Sequence, residues 1–372
     1  MRHLKTLHSA IKNFFSLAST NILSKILSMI IIIIVARYLS ENGFGKYSFV
    51  FAFTTLFTII SDMGLSSLAI REISRHKDIA NKYLTNFIFA KGILSAFTFT
   101  FIYIAMNSLK YPNDTMHAVY IAGAYVITDS FTQFLISFFR AFEKMVYETI
   151  IRTIEKVMLL ILIIGFIYSG YGLIEIVSAF LISSIVTLIL CFYIVYKRFA
   201  RPTLSLDSKF IIRHIKEALP FGMTFIFVTI YFKIDTIMLS SMKGDSVVGL
   251  YNAAYNILLG TDSLIAASIA GVCFPIMSRY FYDSNPNLKK IYLQSFQVLF
   301  FSGIFIAIII TIFANQIINI TYGSAYVEST QALQILIWAF FLVCISTISS
   351  TLLYSVNKTK IVAISTGFGA LL

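Results

Sequence analysis

The chain has 372 residues, of which 58% are hydrophobic and only 12% are charged, with a formal net charge of +12. About a quarter of the residues of a soluble domain are charged, so this chain has too little polar surface to coat two or three soluble domains. Its mean hydropathy of +0.84 also excludes a disordered chain, a collagen and a disulfide scaffold. The composition predicts an all-α protein that crosses a membrane many times.

Apolar runs of membrane-spanning length follow one another along the chain. A helix needs about 20 mostly apolar residues to cross the hydrocarbon core. An eleventh run begins after Lys360 and reaches only to Leu372, so the sequence predicts a truncated eleventh span. The ten complete runs lie at residues 14–38, 47–70, 84–107, 118–139, 153–170, 173–196, 218–241, 247–276, 291–314 and 329–355.

Positive charge is distributed unevenly between the predicted loops. Most of the 29 lysines and arginines lie on the side that also holds the N-terminus. Because positively charged loops stay in the cytoplasm, we expect a cytoplasmic N-terminus in an inner or plasma membrane. The net charge is then explained by loops that face anionic lipid, and a nucleic-acid partner is not needed.

The longest polar connection divides the predicted spans into two groups. It covers residues 199–216 and separates a six-helix lobe at 1–198 from an incomplete lobe at 217–372. An offset of 204 residues places Gly45-Lys46-Tyr47 on Gly249-Leu250-Tyr251. Transporters are often built from such repeats. The predicted fold is therefore two parallel six-helix lobes, of which the second is incomplete.

Charged residues inside the predicted spans are candidates for a polar cavity. Each costs about 2.5–3.5 kcal/mol when it faces lipid at mid-membrane, so they are expected to face a cavity or one another. The alternative is interhelical salt bridges, with lysines that extend to the headgroups. Seven candidates are Lys25, Asp62, Lys91, Asp129, Lys233, Asp235 and Asp262.

Neighbouring polar residues extend two of these positions into helical stripes. Asn21 shares a helix face with Lys25, and Gln133 shares one with Asp129 in a stripe that continues to Arg140. Under the repeat, Lys25 falls on Thr229, one helical step of four residues before Lys233. We therefore predict that the two lysines of the two halves meet one anionic group.

The sequence shows no pattern of an enzyme or a metalloprotein. The cysteines, Cys191, Cys273 and Cys344, lie inside apolar runs and behave as small hydrophobic residues. No metal-ligand spacing, nucleophile elbow, phosphate loop or dinucleotide fingerprint occurs in the sequence. We predict no catalytic residue, no metal and no cofactor.

Several short motifs, taken together, are similar to one family. They are Ala36-Arg37-Tyr38-Leu39 through Gly43-Phe44-Gly45-Lys46-Tyr47, Pro220-Phe221-Gly222, Ile234-Asp235-Thr236, Val248-Gly249-Leu250-Tyr251-Asn252, Pro275-Ile276-Met277-Ser278-Arg279 and Tyr322-Gly323-Ser324-Ala325-Tyr326. In this order and spacing they resemble the polysaccharide-repeat flippases. These form the oligosaccharide branch of the multidrug/oligosaccharidyl-lipid/polysaccharide exporter (MOP) superfamily.

The resemblance implies a fold and an activity. It implies two lobes around a V-shaped cavity and the flipping of a polyprenyl-diphosphate-linked oligosaccharide to the outer leaflet. Lys25, Lys91 and Lys233 would bind the anionic headgroup. Polar or ion-coupling roles would fall to Asn21, Asp62, Asp129, Gln133, Asp235 and Asp262, with H⁺ or Na⁺ as coupling ion. Further partners would be membrane lipid, a polysaccharide polymerase and assembly proteins.

Three alternatives remain open from the sequence. A drug or small-cation exporter of the same superfamily predicts a more acidic cavity, whereas three lysines within spans favour an anionic substrate. A lipid II flippase has the same fold. A membrane glycosyltransferase or polymerase needs an outer catalytic loop with paired carboxylates, and the predicted outer loops are short.

Overall fold

The computed structural model describes the backbone of residues 2–109, 111–203, 206–282 and 286–371. Side chains are described for the same residues except 2–22, 220–221, 223–224, 360, 363, 366 and 370–371. The described residues are nearly all helical and contain no strand, which confirms the predicted all-α class. The helices are α1 (Arg2–Asp62), α2 (Leu65–Arg75), α3 (Ala80–Leu109), α4 (Asn113–Ala141), α5 (Met145–Tyr168), α6 (Leu173–Arg198), α7 (Ser208–Lys243), α8 (Asp245–Leu264), α9 (Ala266–Tyr282), α10 (Asn287–Ile312), α11 (Ala314–Thr321), α12 (Ser329–Ser355) and α13 (Thr359–Leu371).

Eight helices in the described part of the chain are long and apolar enough to cross a membrane. The predicted spans 14–38 and 47–70 merge into one apolar stretch, Leu23–Asp62, because α1 continues through a kink at Ser40. The predicted span 153–170 belongs to α5, whose first half carries Arg152, Glu155 and Lys156. These two differences account for eight such helices where the sequence predicts ten complete spans.

Two long helical segments break in the middle. At the end of α1, Met63 and Gly64 both adopt the left-handed conformation, with φ of 45° and 81°, before α2 begins. The segment from α8 to α9 breaks at Ile265. Glycine accepts the left-handed region without strain, so the first break has a local cause in the sequence.

Contacts between residues divide the chain into two compact units. The first unit comprises residues 1–31 and 49–237, and the second comprises residues 32–48 and 238–372. Within the predicted connection 199–216, the backbone is already helical from Ser208 onward. The predicted lobes at 1–198 and 217–372 stay a prediction.

In the first unit, α4 is the central helix and packs against α2, α3, α5 and α6. Its inward face carries the large apolar side chains Phe134, Leu135 and Phe138, which are almost completely buried. Residues before α7 also attach to α3. Lys82 forms a 2.9 Å ion pair with Asp207, and the amide of Asp207 donates to Asn86 Oδ1 at 2.8 Å.

In the second unit, α12 packs against α8, α9 and α10. Gly45 on α1 and Gly249 on α8 allow two backbones to touch. A Cβ atom on Gly45 would overlap the carbonyl oxygen of Asp245, and one on Gly249 would overlap the carbonyl oxygen of Glu41. Both glycines and both carbonyl residues are related by the 204-residue offset, so the contact is reciprocal. This geometry supports the internal repeat.

Candidate functional site

A polar cavity of about 300 Å³ lies within the first unit. The end of α1, the start of α2, one face of α4 and the middle of α7 enclose it. Its floor is at the break after Asp62, where the left-handed turn at Gly64 redirects the chain. The polar side chains that line the cavity belong to Thr55, Thr58, Asp62, Ser66, Ser67, Ser130, Gln133, Ser137, Arg140 and Thr229.

The wall contributed by α4 is a regular stripe. Ser130, Gln133, Ser137 and Arg140 are spaced by three or four residues, so they share one helix face. Arg140 at the end of the stripe donates its Nε to Glu148 Oε2 at 2.8 Å. The sequence predicts a stripe that begins at Asp129 and continues through Gln133 to Arg140. Gln133 and Arg140 line the cavity, whereas Asp129 does not, and Ser130 lines it instead.

Lys91 does not line the cavity itself, but it contacts Asp62 and Ser130, which do. The side chain is completely buried on α3, and its Nζ lies 2.6 Å from Asp62 Oδ1 and 2.6 Å from Ser130 Oγ. The carboxylate of Asp62 also accepts a hydrogen bond from the Ser66 hydroxyl. The structure therefore joins two of the predicted charges in an interhelical ion pair. The direct role of Lys91 on a headgroup stays a prediction.

A second charged group lies behind Gln133. Gln133 Oε1 accepts a 2.6 Å hydrogen bond from Arg152 Nη2, and Gln133 Nε2 lies 3.3 Å from Asp129 Oδ1. Arg152 also forms ion pairs with Asp129 at 3.8 Å and with Glu155 at 3.4 Å. Predicted residues Asp62, Lys91, Asp129 and Gln133 thus belong to one polar network.

Formal charges in this network do not balance. The carboxylates are Asp62, Asp129, Glu148 and Glu155, and the cations are Lys91, Arg140 and Arg152. Among the side chains that the structure describes, the carboxylates of these ion pairs exceed the cations by one when all groups are ionised.

Two buried acidic residues of the network are not among the site residues predicted from the sequence. Glu148 and Glu155 are each 4% exposed. Glu148 precedes the predicted span 153–170, and Glu155 lies at its start but is not among the charged residues that the sequence analysis selects. The available signal is the spacing of three residues between Arg152 and Glu155, which places opposite charges on one helix face.

The remaining predicted residues do not line the cavity. Lys25 lies exposed on α1, and Lys233 and Asp235 lie half-buried on α7. Asp262 belongs to α8 of the second unit. Asn21 falls outside the residues whose side chains the structure describes.

Solved structures of membrane transporters have the same fold as this chain. An inward-facing multidrug resistance MATE family transporter of the MOP superfamily superposes with a TM-score of 0.74 at 18% identity, over 95% of this chain and 88% of that chain. A MOP superfamily transporter from Pyrococcus furiosus, reported with a binding pocket of reversed polarity, gives a TM-score of 0.68 at 17% identity, over 97% and 86%. The fold is that of a multi-pass MOP superfamily membrane transporter.

Family comparisons then identify the family of the chain. The family model described as polysaccharide biosynthesis protein matches residues 10–281, and the MatE model matches residues 220–372. The chain belongs to the polysaccharide biosynthesis protein family, which confirms the resemblance predicted from its motifs. It is also similar to a putative O-antigen transporter of Shigella dysenteriae, at 26% identity over 339 residues, 88% of this chain and 82% of that protein.

Proposed function

We propose that this transporter flips a polyprenyl-diphosphate-linked oligosaccharide across the inner or plasma membrane, from the cytoplasmic to the outer leaflet. The product would serve surface polysaccharide synthesis, as O-antigen, capsule or exopolysaccharide. The observation that carries the proposal is the hydroxyl-lined cavity at Thr58, Ser67 and Ser137 in a chain of the polysaccharide biosynthesis family. The name of the Shigella relative supports the same substrate class.

The cavity has the chemistry that a sugar headgroup needs. Each sugar hydroxyl costs several kcal/mol when it leaves water without a new hydrogen-bond partner. The cavity offers serine and threonine hydroxyls, the Gln133 amide and the Arg140 guanidinium among otherwise apolar helices. The lipid tail meanwhile stays in the bilayer, and Lys25 and Lys233 meet the diphosphate.

The coupling ion of the proposed cycle is H⁺ or Na⁺. Its proposed place is the network of Asp62, Asp129, Glu148 and Glu155, in which carboxylates exceed cations by one. Binding of one positive charge would remove this surplus and favour one of two alternating-access states. The proposed orientation has the N-terminus in the cytoplasm. Membrane lipid, a polymerase and assembly proteins are the proposed partners.

The second candidate is an ion-coupled exporter of drugs or small cations. The MatE match at residues 220–372 favours it. A cationic substrate requires a carboxylate that is available to it, whereas Asp62 in the cavity is paired with Lys91. The pairing of Asp62 therefore counts against a cationic substrate, and Arg140, which lines the same cavity, is itself paired with Glu148.

A leaflet assay tests the proposal. The gene is deleted in the native host, and a membrane-impermeant sugar probe reports the lipid-linked oligosaccharide on intact and inverted vesicles. We expect accumulation in the cytoplasmic leaflet that the restored gene relieves. An unchanged distribution in a host without a second flippase contradicts flipping and favours the exporter.

Isosteric variants connect the assay to the cavity. Thr58→Val with Ser67→Ala removes two lining hydroxyls without changing side-chain volume. Each lost hydrogen bond is worth about 0.5–1.5 kcal/mol, so we expect flipping to slow about tenfold. The matched control is Thr100→Val with Ser108→Ala, two exposed hydroxyls on α3. Equal rates in the two double variants would show that the cavity does not bind the sugar.

A further inference from the structure

A second cavity, which we name the outer groove, runs along the opposite side of α4. It has a volume of about 500 Å³. Phe131 and Leu135 of α4 form its floor, Ile88 of α3 lies on one side, and Phe192, Tyr193 and Tyr196 of α6 lie on the other. The residues of α4 that line the polar cavity, which is the proposed substrate cavity, are different, so the two cavities occupy separate faces of the same helix.

The outer groove arises because α3 and α6 both pack on α4. Along α6 the lining extends from Leu188 to Tyr196, which is about 12 Å at 1.5 Å per residue. The floor residue Leu135 is buried, whereas Tyr193 and Tyr196 are about half exposed at one end. An apolar trough of this length fits a hydrocarbon chain, and its aromatic end resembles the tyrosine belt of a membrane interface.

Two cations are held at the tyrosine end of the outer groove. Lys197 Nζ lies 4.5 Å from the centroid of the Tyr193 ring and donates to Tyr193 Oη at 2.6 Å. The Arg201 guanidinium carbon lies 5.9 Å from the centroid of the Tyr196 ring. Among the described residues, the partners of both cationic groups are groove-lining aromatic side chains, and none of these described partners is a carboxylate that would neutralise the positive charge. A phosphate placed there would meet two cations beside the mouth of an apolar channel.

We propose that the outer groove binds one anionic phospholipid, with an acyl chain over Phe131 and Leu135 and the phosphate on Lys197 and Arg201. The apolar lining selects a hydrocarbon chain, and the two cations select a headgroup with net negative charge. The bound lipid fills the trough between α3 and α6 and thereby stabilises their packing on α4. This site is separate from the substrate cavity and does not depend on which substrate the protein transports.

Native mass spectrometry of the full chain in detergent tests the site. Phosphatidylglycerol and phosphatidylcholine with identical acyl chains are added in equal amounts. We expect phosphatidylglycerol to be retained at least fivefold more. Lys197→Glu with Arg201→Glu should abolish this preference, whereas the matched charge reversal Lys289→Glu with Lys290→Glu, on exposed residues of α10, should preserve it.

A variant that fills the groove separates a specific site from lipid that coats any apolar surface. Leu188→Trp adds bulk to the groove wall, while Ile185→Trp adds it to an exposed α6 position outside the lining. We expect at least fivefold loss of retained phosphatidylglycerol for Leu188→Trp only. Equal retention of both lipids, or equal retention by variants and their controls, would overturn the proposal. The melting temperature of each variant confirms that it is folded.

Discussion

At the scale of single residues, Lys91 shows how the membrane changes the meaning of a charge. Because an unpaired charge is costly within a span, the sequence predicts that Lys91 faces a cavity or another charge, and the family resemblance implies a headgroup ligand. The structure places its Nζ between Asp62 and Ser130, with no exposed surface. Residues 62 and 91 lie on different helices, and no local spacing rule relates them.

This buried pair leads to a prediction about stability. Removal of one partner leaves an uncompensated buried charge and costs about 3–5 kcal/mol, whereas two apolar residues of similar size are often tolerated. We expect Lys91→Met to lower the melting temperature in detergent sharply and Lys91→Met with Asp62→Leu to recover most of it. The exposed pair Lys82 and Asp207 is the control, since Lys82→Met should have little effect. Additive losses in the double variant would contradict the ion pair.

At the scale of helices, two features follow the internal repeat. The reciprocal approach of α1 and α8 places Gly45 against Asp245 and Gly249 against Glu41. The second apolar segment of each half also breaks, after Asp62 in one and after Leu264 in the other. Paired interruptions of this kind mark functional regions in transporters built from repeats. A glycine at the break, which could predict it from the sequence, is present only at the first of the two.

The glycine contact predicts opposite effects of one substitution at two sites. An added Cβ at Gly45 meets backbone atoms and overpacks the contact, which costs about 1–3 kcal/mol. At Gly165 on α5 the same Cβ has open space around it, and alanine gains about 0.5–1 kcal/mol of helix propensity. We expect Gly45→Ala to lower the melting temperature and Gly165→Ala to leave it unchanged or raise it. A loss of equal size at both positions would indicate that the close contact is absent.

At the scale of the whole molecule, each half carries one of the two lysines that are predicted to meet an anionic group, and each lysine lies on the first predicted span of its half. Lys25 is on α1, and Lys233 is on α7 one turn after Thr229 of the polar cavity. A charge-assisted hydrogen bond to a phosphate is worth about 1.5–3 kcal/mol. We therefore expect Lys25→Gln with Lys233→Gln to reduce flipping at least tenfold without loss of membrane insertion.

The control for this prediction keeps the number of neutralised lysines equal. Lys46→Gln with Lys243→Gln changes two lysines from the predicted outer loops. These should leave the leaflet distribution of the substrate unchanged. Full activity of the Lys25 and Lys233 double variant would reject a joint role for the two lysines.

The sequence by itself determined the class of this protein and the approximate positions of its helices. The length of each apolar run and the scarcity of charge depend only on neighbours along the chain, and the MOP motifs are short and local. The same is true of the α4 stripe that ends at Arg140, because helical spacing alone puts these residues on one face.

Only the tertiary structure decided which polar groups meet. Lys91 and Asp62 are 29 residues apart, and Arg37 donates to the carbonyl oxygen of Thr321, 284 residues away. The two acids of α5 joined the site because that helix packs against α4, and the outer groove exists because α3 and α6 flank the same helix. Such contacts depend on how several helices pack together, and the period of a single helix contains no information about its partners.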